Sequence, residues 1–277
     1  MGATMVNRLI PLPDGRRLDL KARPLVMGIL NVTPDSFSDG GQHNETARGL
    51  THAREMIAEG ADIIDIGGES TRPGHTPVVA EEEMARIAPF IAPLAKESVI
   101  SVDTMKAKVA AFALEQGAQI VNDVWGFQRD PDLARVVSEH HAACVLMHNR
   151  EQEDAAIDIV EDMLSFLSRS LDIAQRARIP LDRIILDPGI GFGKTPEQNL
   201  IAVRQIGRLH QLGCPVLLGA SRKRIIGTVT GRTDPKDRMA GSLALHLLGA
   251  QAGADIIRVH DVAPHVDAMK VLAAFRT

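Results

Sequence analysis

The chain has 277 residues, 45% hydrophobic and 24% charged, with 31 lysines and arginines against 35 aspartates and glutamates, a net charge of -4. That length and apolar content allow one large core, and the near-balanced charge argues against nucleic acid as a partner, so an anionic ligand must meet a focused basic cluster. Two cysteines, Cys144 and Cys214, exclude a disulfide framework and point to a reducing, cytoplasmic setting; no leader pattern and no apolar run of about 20 residues gives a membrane role.

In chain order, short extended runs at 6–11 and 16–20 flank Asp14-Gly15, a turn dipeptide that favours a hairpin placed across the floor of the domain. From Pro24 onward, β-branched runs at 25–30, 62–66, 99–102, 119–122, 143–147, 183–186, 215–218 and 255–259 alternate with longer helical patterns. Such alternation marks parallel βα units. Eight units without a linker or low-complexity segment favour a closed (β/α)8 TIM barrel, fold class α/β, with residues 1–277 as one domain. An internal echo supports the periodicity: EGADII (59–64), QGAQIV (116–121) and AGADII (252–257) each put a glycine where a helix ends and a strand begins. The run Glu81-Glu82-Glu83 opens the helix after the second strand, where negative charge suits the dipole.

The chemistry gathers after the strands. Asn31, Gly67-Gly68-Glu69-Ser70-Thr71-Arg72, Asp103-Thr104, Asn122-Asp123, His148-Asn149-Arg150, Asp187, Ser221-Arg222-Lys223 and Arg258-Val259-His260 all fall at strand ends. In a barrel these converge on the face that carries active sites. Asp103, Asn122 and Asp187 suit a flat heterocycle presenting adjacent N–H donors, and Lys223 complements a ring oxo group. Arg72, Arg258 and His260, with Asn31 nearby, suit phosphate or pyrophosphate. Asp35 and Asp39, in the loop after Asn31, can meet a cation or a positive centre. Two features lean structural. GIGFGKT (189–195) ends like a Walker loop but its first glycine is one residue too close, and His140, His141 and His148 lack metal-ligand spacing. Trp125 and Phe127 read as packing, whereas Phe192, between glycines, is free to reach a ligand.

The motifs GILNVTPDSFSDGG (28–41), DIGGESTRPG (65–74), SVDT (101–104), NDV (122–124), LMH (146–148), LDPGIGFGKT (186–195), GASRK (219–223) and RVHDV (258–262) cover nearly the whole chain. In kind and order they resemble the bacterial dihydropteroate synthases. The resemblance implies joining of 6-hydroxymethyl-7,8-dihydropterin pyrophosphate to p-aminobenzoate, giving 7,8-dihydropteroate and pyrophosphate in folate biosynthesis. It implies that Asp103, Asn122, Asp187 and Lys223 hold the pterin, with Met147, Gly191 and Phe192 lining its slot. It implies Mg2+ as cofactor on Asn31, and pyrophosphate contacts from Asn31, Arg72, Arg258 and His260. Phe37, Thr71, Pro73 and Ser221, with Arg222, are implied for p-aminobenzoate, and Asp35 for balancing the cationic carbon. The catalytic set is then Asn31, Asp35, Arg72, Lys223, Arg258 and His260. Sulfonamides, as p-aminobenzoate mimics, are implied inhibitors, and a homodimer is the implied assembly. Two rivals stay open: a pterin-dependent methyltransferase domain serving a corrinoid, which has no use for a pyrophosphate cluster, and a catalytically silent pterin-binding paralogue.

Overall fold

A computed structural model describes residues 6–33, 42–70 and 77–276, except the side chains of 42–44. A short antiparallel pair, β1 (Leu9–Pro11) and β2 (Arg17–Asp19), precedes eight parallel strands: β3 (Leu25–Asn31), β4 (Ile63–Gly67), β5 (Val99–Asp103), β6 (Ile120–Asp123), β7 (Ala143–Met147), β8 (Ile184–Asp187), β9 (Leu217–Leu218) and β10 (Ile256–Val259). They pair in the order β9-β10-β3-β4-β5-β6-β7-β8, and a parallel bridge from Leu186 to Val216 closes the ring. The helices α1 (Gln42–Ala58), α2 (Ala80–Leu94), α3 (Ala107–Glu115), α4 (Leu133–Glu139), α5 (Ile159–Arg176) and α6 (Pro196–Arg204) each follow one strand, α7 (Arg224–Thr230) and α8 (Met239–Ala252) both follow β9, and α9 (Val262–Arg276) follows β10. This is the (β/α)8 barrel.

The alternation of side chains along each strand divides the core in two. Outward residues such as Val26, Ile64, Ile100, Val121, Cys144 and Ile257 pack under the helices. Inward residues Met27, Ile63, Val99, Ile120, Val145, Ile185, Leu217 and Ile256 fill the lower barrel, and Ile10, Leu12, Leu18 and Leu20 of the hairpin segment cap them from below. Each such side chain contributes roughly 1.5–3 kcal/mol by leaving water. The hairpin therefore seals the floor, and the open end is the opposite one.

Strand limits differ from the sequence expectation in a consistent way. β3, β4, β5, β6 and β8 each run one residue further, because Asn31 pairs with Gly67, Gly67 with Asp103 and Met147 with Asp187 in register. Neighbouring strands hold these polar residues in the ladder, which a β-branched run cannot signal. The strand expected at 215–218 shrinks to Leu217–Leu218, and Leu181–Arg183 forms a 3-10 turn ahead of β8. Gly60, Gly117 and Gly253 take φ of +100°, +104° and +123°, the backbone that the repeated glycine serves between helix and strand. Glu81, Glu82 and Glu83 lie in the first turn of α2, but Glu83 is buried. It accepts from Lys106 at 2.5 Å, and Lys106 also pairs with Glu69, so Glu83 is an interior ion-pair partner rather than a solvated cap charge.

Candidate active site

Two steps up the inward face from each apolar layer, the side chains become polar. Ile63 is followed by Asp65, Val99 by Ser101 and Asp103, Ile120 by Asn122, Ile185 by Asp187, and Ile256 by Arg258. Arg258 donates from Nε to Asp65 Oδ2 at 2.6 Å and from Nη2 to Asp103 Oδ2 at 2.7 Å. Asn122 Nδ2 donates to the same Asp65 oxygen at 3.1 Å. One guanidinium thus ties together residues from β4, β5 and β10, with β6 joined through Asn122. A Cβ at Gly67 would meet Asn31 Oδ1 and Asp103, and one at Gly219 would meet Asp187 Oδ2 and Arg258.

Among the described residues, Asp65 Oδ1, Asp103 Oδ1 and Ser101 Oγ are buried without a hydrogen-bond partner. Buried acceptors are normally satisfied, so three orphans on adjoining inward steps of β4 and β5 mark where a ligand or water can supply donors. Burial pushes Asp103 up to about 7, with Arg258 opposing and Asp65 adding to the rise. Burial also raises Asp187, against the Gly189 N–H at 2.7 Å and the positive charges of Lys223 and Arg258.

On the other side of the mouth, Met147 ends β7 as a buried apolar wall, and Lys223 Nζ lies 4.3 Å from the centre of the half-buried Phe192 ring. A Cβ at Gly191 would meet Lys223 Cδ at 3.2 Å. Ser221 Oγ accepts the His260 backbone N–H at 3.2 Å and lies 2.9 Å from His260 Nδ1. With the hydroxyl donating to Nδ1, the imidazole keeps its proton on Nε2. Burial and the charges of Arg222 and Arg258 push His260 down to about 3, so the ring is neutral near pH 7. Arg222 occupies left-handed backbone at φ +57° and its guanidinium forks onto Asp261, at 3.2 Å from Nε and 2.6 Å from Nη2.

The structure therefore brings Asn31, Asp103, Asn122, Met147, Asp187, Gly191, Phe192, Ser221, Arg222, Lys223, Arg258 and His260 to the C-terminal end of the barrel strands. Asp35, Phe37, Thr71, Arg72 and Pro73 lie outside the described residues. Arg258, grouped by sequence with the phosphate ligands, reaches across to Asp103, expected on the heterocycle, and to Asp65. Asp65 and Ser101 were missed by sequence reasoning. The available signal was their even spacing from Gly67 and Asp103 on inward strand faces. His148 is wholly buried and hydrogen-bonded within the protein, and Trp125 carries Arg129 over its ring at 4.9 Å.

The family model for pterin binding enzymes matches residues 27–260. A dihydropteroate synthase of Bacillus subtilis (strain 168) is 52% identical over 247 residues, covering 88% of this chain and 86% of that protein. The Xanthomonas albilineans dihydropteroate synthase solved with 4-aminobenzoic acid superposes with a TM-score of 0.92 at 45% identity, covering 97% of this chain and 99% of that one. The Yersinia pestis enzyme solved with a sulfonamide drug superposes with a TM-score of 0.87 at 40% identity, covering 95% and 97% respectively.

Proposed function

This chain belongs to the dihydropteroate synthases of the pterin-binding enzyme family, and from that premise we propose how its residues join 6-hydroxymethyl-7,8-dihydropterin pyrophosphate to p-aminobenzoate. The observation that supports the reading most is the group of unsatisfied acceptors, Asp65 Oδ1, Asp103 Oδ1 and Ser101 Oγ, beside Asn122 and Asp187. A reduced pterin presents N–H donors along one edge, and these acceptors receive them. Met147, Gly191 and Phe192 line the slot, and Lys223 meets the ring oxo group. Arg258 and the Nε2–H of His260 face the pyrophosphate, joined by Arg72.

The bond that breaks is the methylene carbon–oxygen bond to pyrophosphate, and the bond that forms is the methylene carbon–nitrogen bond to p-aminobenzoate. Positive charge left on carbon delocalises into the electron-rich ring, balanced by Asp35. Arg258, Arg72 and His260 stabilise the departing negative charge. The aniline nitrogen attacks with its lone pair and afterwards loses one proton to solvent, so no strong base is required. The resemblance assigns Thr71, Pro73 and Phe37 to p-aminobenzoate together with Ser221. Arg222 is held at this place by its ion pair with Asp261, and sulfonamides, as p-aminobenzoate mimics, would compete there; the Yersinia pestis relative was solved with a sulfonamide drug.

Asn31 offers one neutral oxygen at the rim, and among the described residues no three His, Cys, Asp or Glu side chains form a metal cage. That donor set suits Mg2+ held chiefly by substrate phosphates. Bound there, Mg2+ supplies charge neutralisation on the leaving group. The deciding assay follows pyrophosphate release and dihydropteroate with and without p-aminobenzoate and Mg2+. Product only with both substrates and metal is expected; pterin binding without product would leave a silent paralogue instead.

Two further features of the proposal concern setting and assembly. Both cysteines are free thiols in the core, which suits the cytoplasm, and no described helix is long and apolar enough to cross a membrane. α8 buries Ser242 and His246 and leaves Leu248 57% exposed, and the neighbouring α9 exposes Val271 and Phe275 at 70% and 82%. A second copy covers this face in a homodimer. Light scattering should return twice the 29.9 kDa chain mass, and a charged residue at Leu248 should restore the monomer.

A further inference from the structure

The Walker-like run and the strand-end histidine, both set aside as structural by sequence, meet in one place. Lys194 is 2% exposed, and its Nζ lies 2.6 Å from His148 Nδ1, 2.8 Å from Gly189 O and 3.3 Å from Phe192 O. An ammonium has three N–H donors and no acceptor. Burial pushes Lys194 down to about 7, and in its ammonium form all three donors find an acceptor here with His148 Nδ1 as the unprotonated nitrogen. The proton of the neutral imidazole then sits on Nε2 and is donated to Asp162 Oδ2 at 2.9 Å. Asp162 is half-buried at the start of α5 and also accepts from Arg150 Nη1 at 2.9 Å.

Every donor in this series faces an acceptor, and the chain of bonds has one direction, from the buried ammonium through the imidazole to the carboxylate. The two carbonyls that Lys194 holds bracket Ile190 and Gly191. Gly191 N donates to Asn199 Oδ1 at 2.6 Å, and Asn199 Nδ2 returns to Lys194 O at 3.1 Å and Thr195 O at 2.9 Å. Gly189 and Gly191 sit at φ +67° and +85°, and a Cβ at Gly189 would collide with the His148 carbonyl oxygen. The segment 189–193 thus rests directly on the strand end that bears His148, and the ammonium fastens it on both sides.

A methionine would fill the same space without the cost of burying charge. What the ammonium adds is direction: two carbonyls fixed at once, and with them the tilt of Phe192 under Lys223. We propose that Lys194, His148 and Asp162 form a positioning relay that sets the pterin-slot loop, so that binding of the dihydropterin depends on a bond at the outer surface of the barrel. It rests on the assignment of Gly191 and Phe192 to the pterin slot. Lys194 touches no substrate in this scheme; it is a positioning residue.

The relay has an outer end that can be cut without disturbing the core. In the full-length protein, Lys194→Met is expected to raise the KM for dihydropterin pyrophosphate about tenfold, with kcat and the KM for p-aminobenzoate within about twofold of the parent. Asp162→Ala should move the same constant in the same direction by a smaller factor. Phe192→Ala, measured alongside, tests the slot itself. If Phe192→Ala weakens dihydropterin binding while folded Lys194→Met and Asp162→Ala leave it unchanged, the relay is overturned and the slot stands. If Phe192→Ala also has no effect, the slot assignment fails and the relay with it. Should Lys194→Met not fold, Asp162→Ala decides alone: a selective rise in the dihydropterin constant supports the relay, and an unchanged or uniformly altered set of constants overturns it.

Discussion

Arg258→Ala is expected to lower kcat/KM by about 10²–10³, the usual loss when one preorganised donor to a developing negative charge is removed. The same change should destabilise the fold by about 3–5 kcal/mol, because Asp65 and Asp103 would keep their places inside the barrel without the guanidinium between them. The side chain is only 18% exposed, so solvent screens little of this. The stability loss should shrink in acid. Once protonated, Asp103 needs no counter-charge, and the variant and parent curves in urea should draw together as pH falls below about 7. Arg258→Lys keeps the charge but cannot reach both carboxylates in the forked geometry, and should fall between the two. Turnover within threefold of the parent for Arg258→Ala would remove leaving-group stabilisation from the account.

Dihydropterin affinity should improve with rising pH because of Asp103. Its carboxyl is raised by burial from 3.8 to about 7, and only the ionised form accepts two N–H donors. Roughly a tenth is ionised one unit below that value and nine-tenths one unit above, so affinity should rise about tenfold between pH 6 and 8. The effect on stability has the opposite sign. A carboxyl whose folded value is raised stabilises the protein below about 4 and loses that contribution as pH climbs through about 7. Binding and folding therefore pull this group in different directions, which is the expected signature of a buried acceptor kept for a ligand. Asp103→Asn should lose roughly 1.5–3 kcal/mol of affinity for each charge-assisted hydrogen bond removed and flatten the part of the pH dependence due to Asp103. Calorimetric titration with dihydropterin pyrophosphate at several pH values reads both; a parent affinity independent of pH would show that Asp103 is already ionised in the free protein.

Much of the site was legible because a barrel converts sequence order into place. Polar residues at the ends of eight parallel strands converge on one face whatever lies between them, and Asn31, Asp103, Asn122, Asp187, Lys223, Arg258 and His260 were all readable on that ground. The repeated glycine ahead of strands β4, β6 and β10 was equally plain, since only a residue without Cβ takes that backbone cheaply. The short hairpin was signalled by its turn dipeptide, and it lies beneath the floor as expected.

The sequence by itself determined the period of the fold, the face on which chemistry collects and the residue types available there, because these depend on local backbone preference and on alternation along one strand. Only the tertiary structure decided the pairings. Arg258 bonds residues 193 and 155 positions away in Asp65 and Asp103, Arg222 finds Asp261, and Lys194 reaches His148 and through it Asp162. A buried charge selects its partner by proximity in the closed ring, and ring closure sets that distance through the stagger of neighbouring strands rather than through any spacing along the chain.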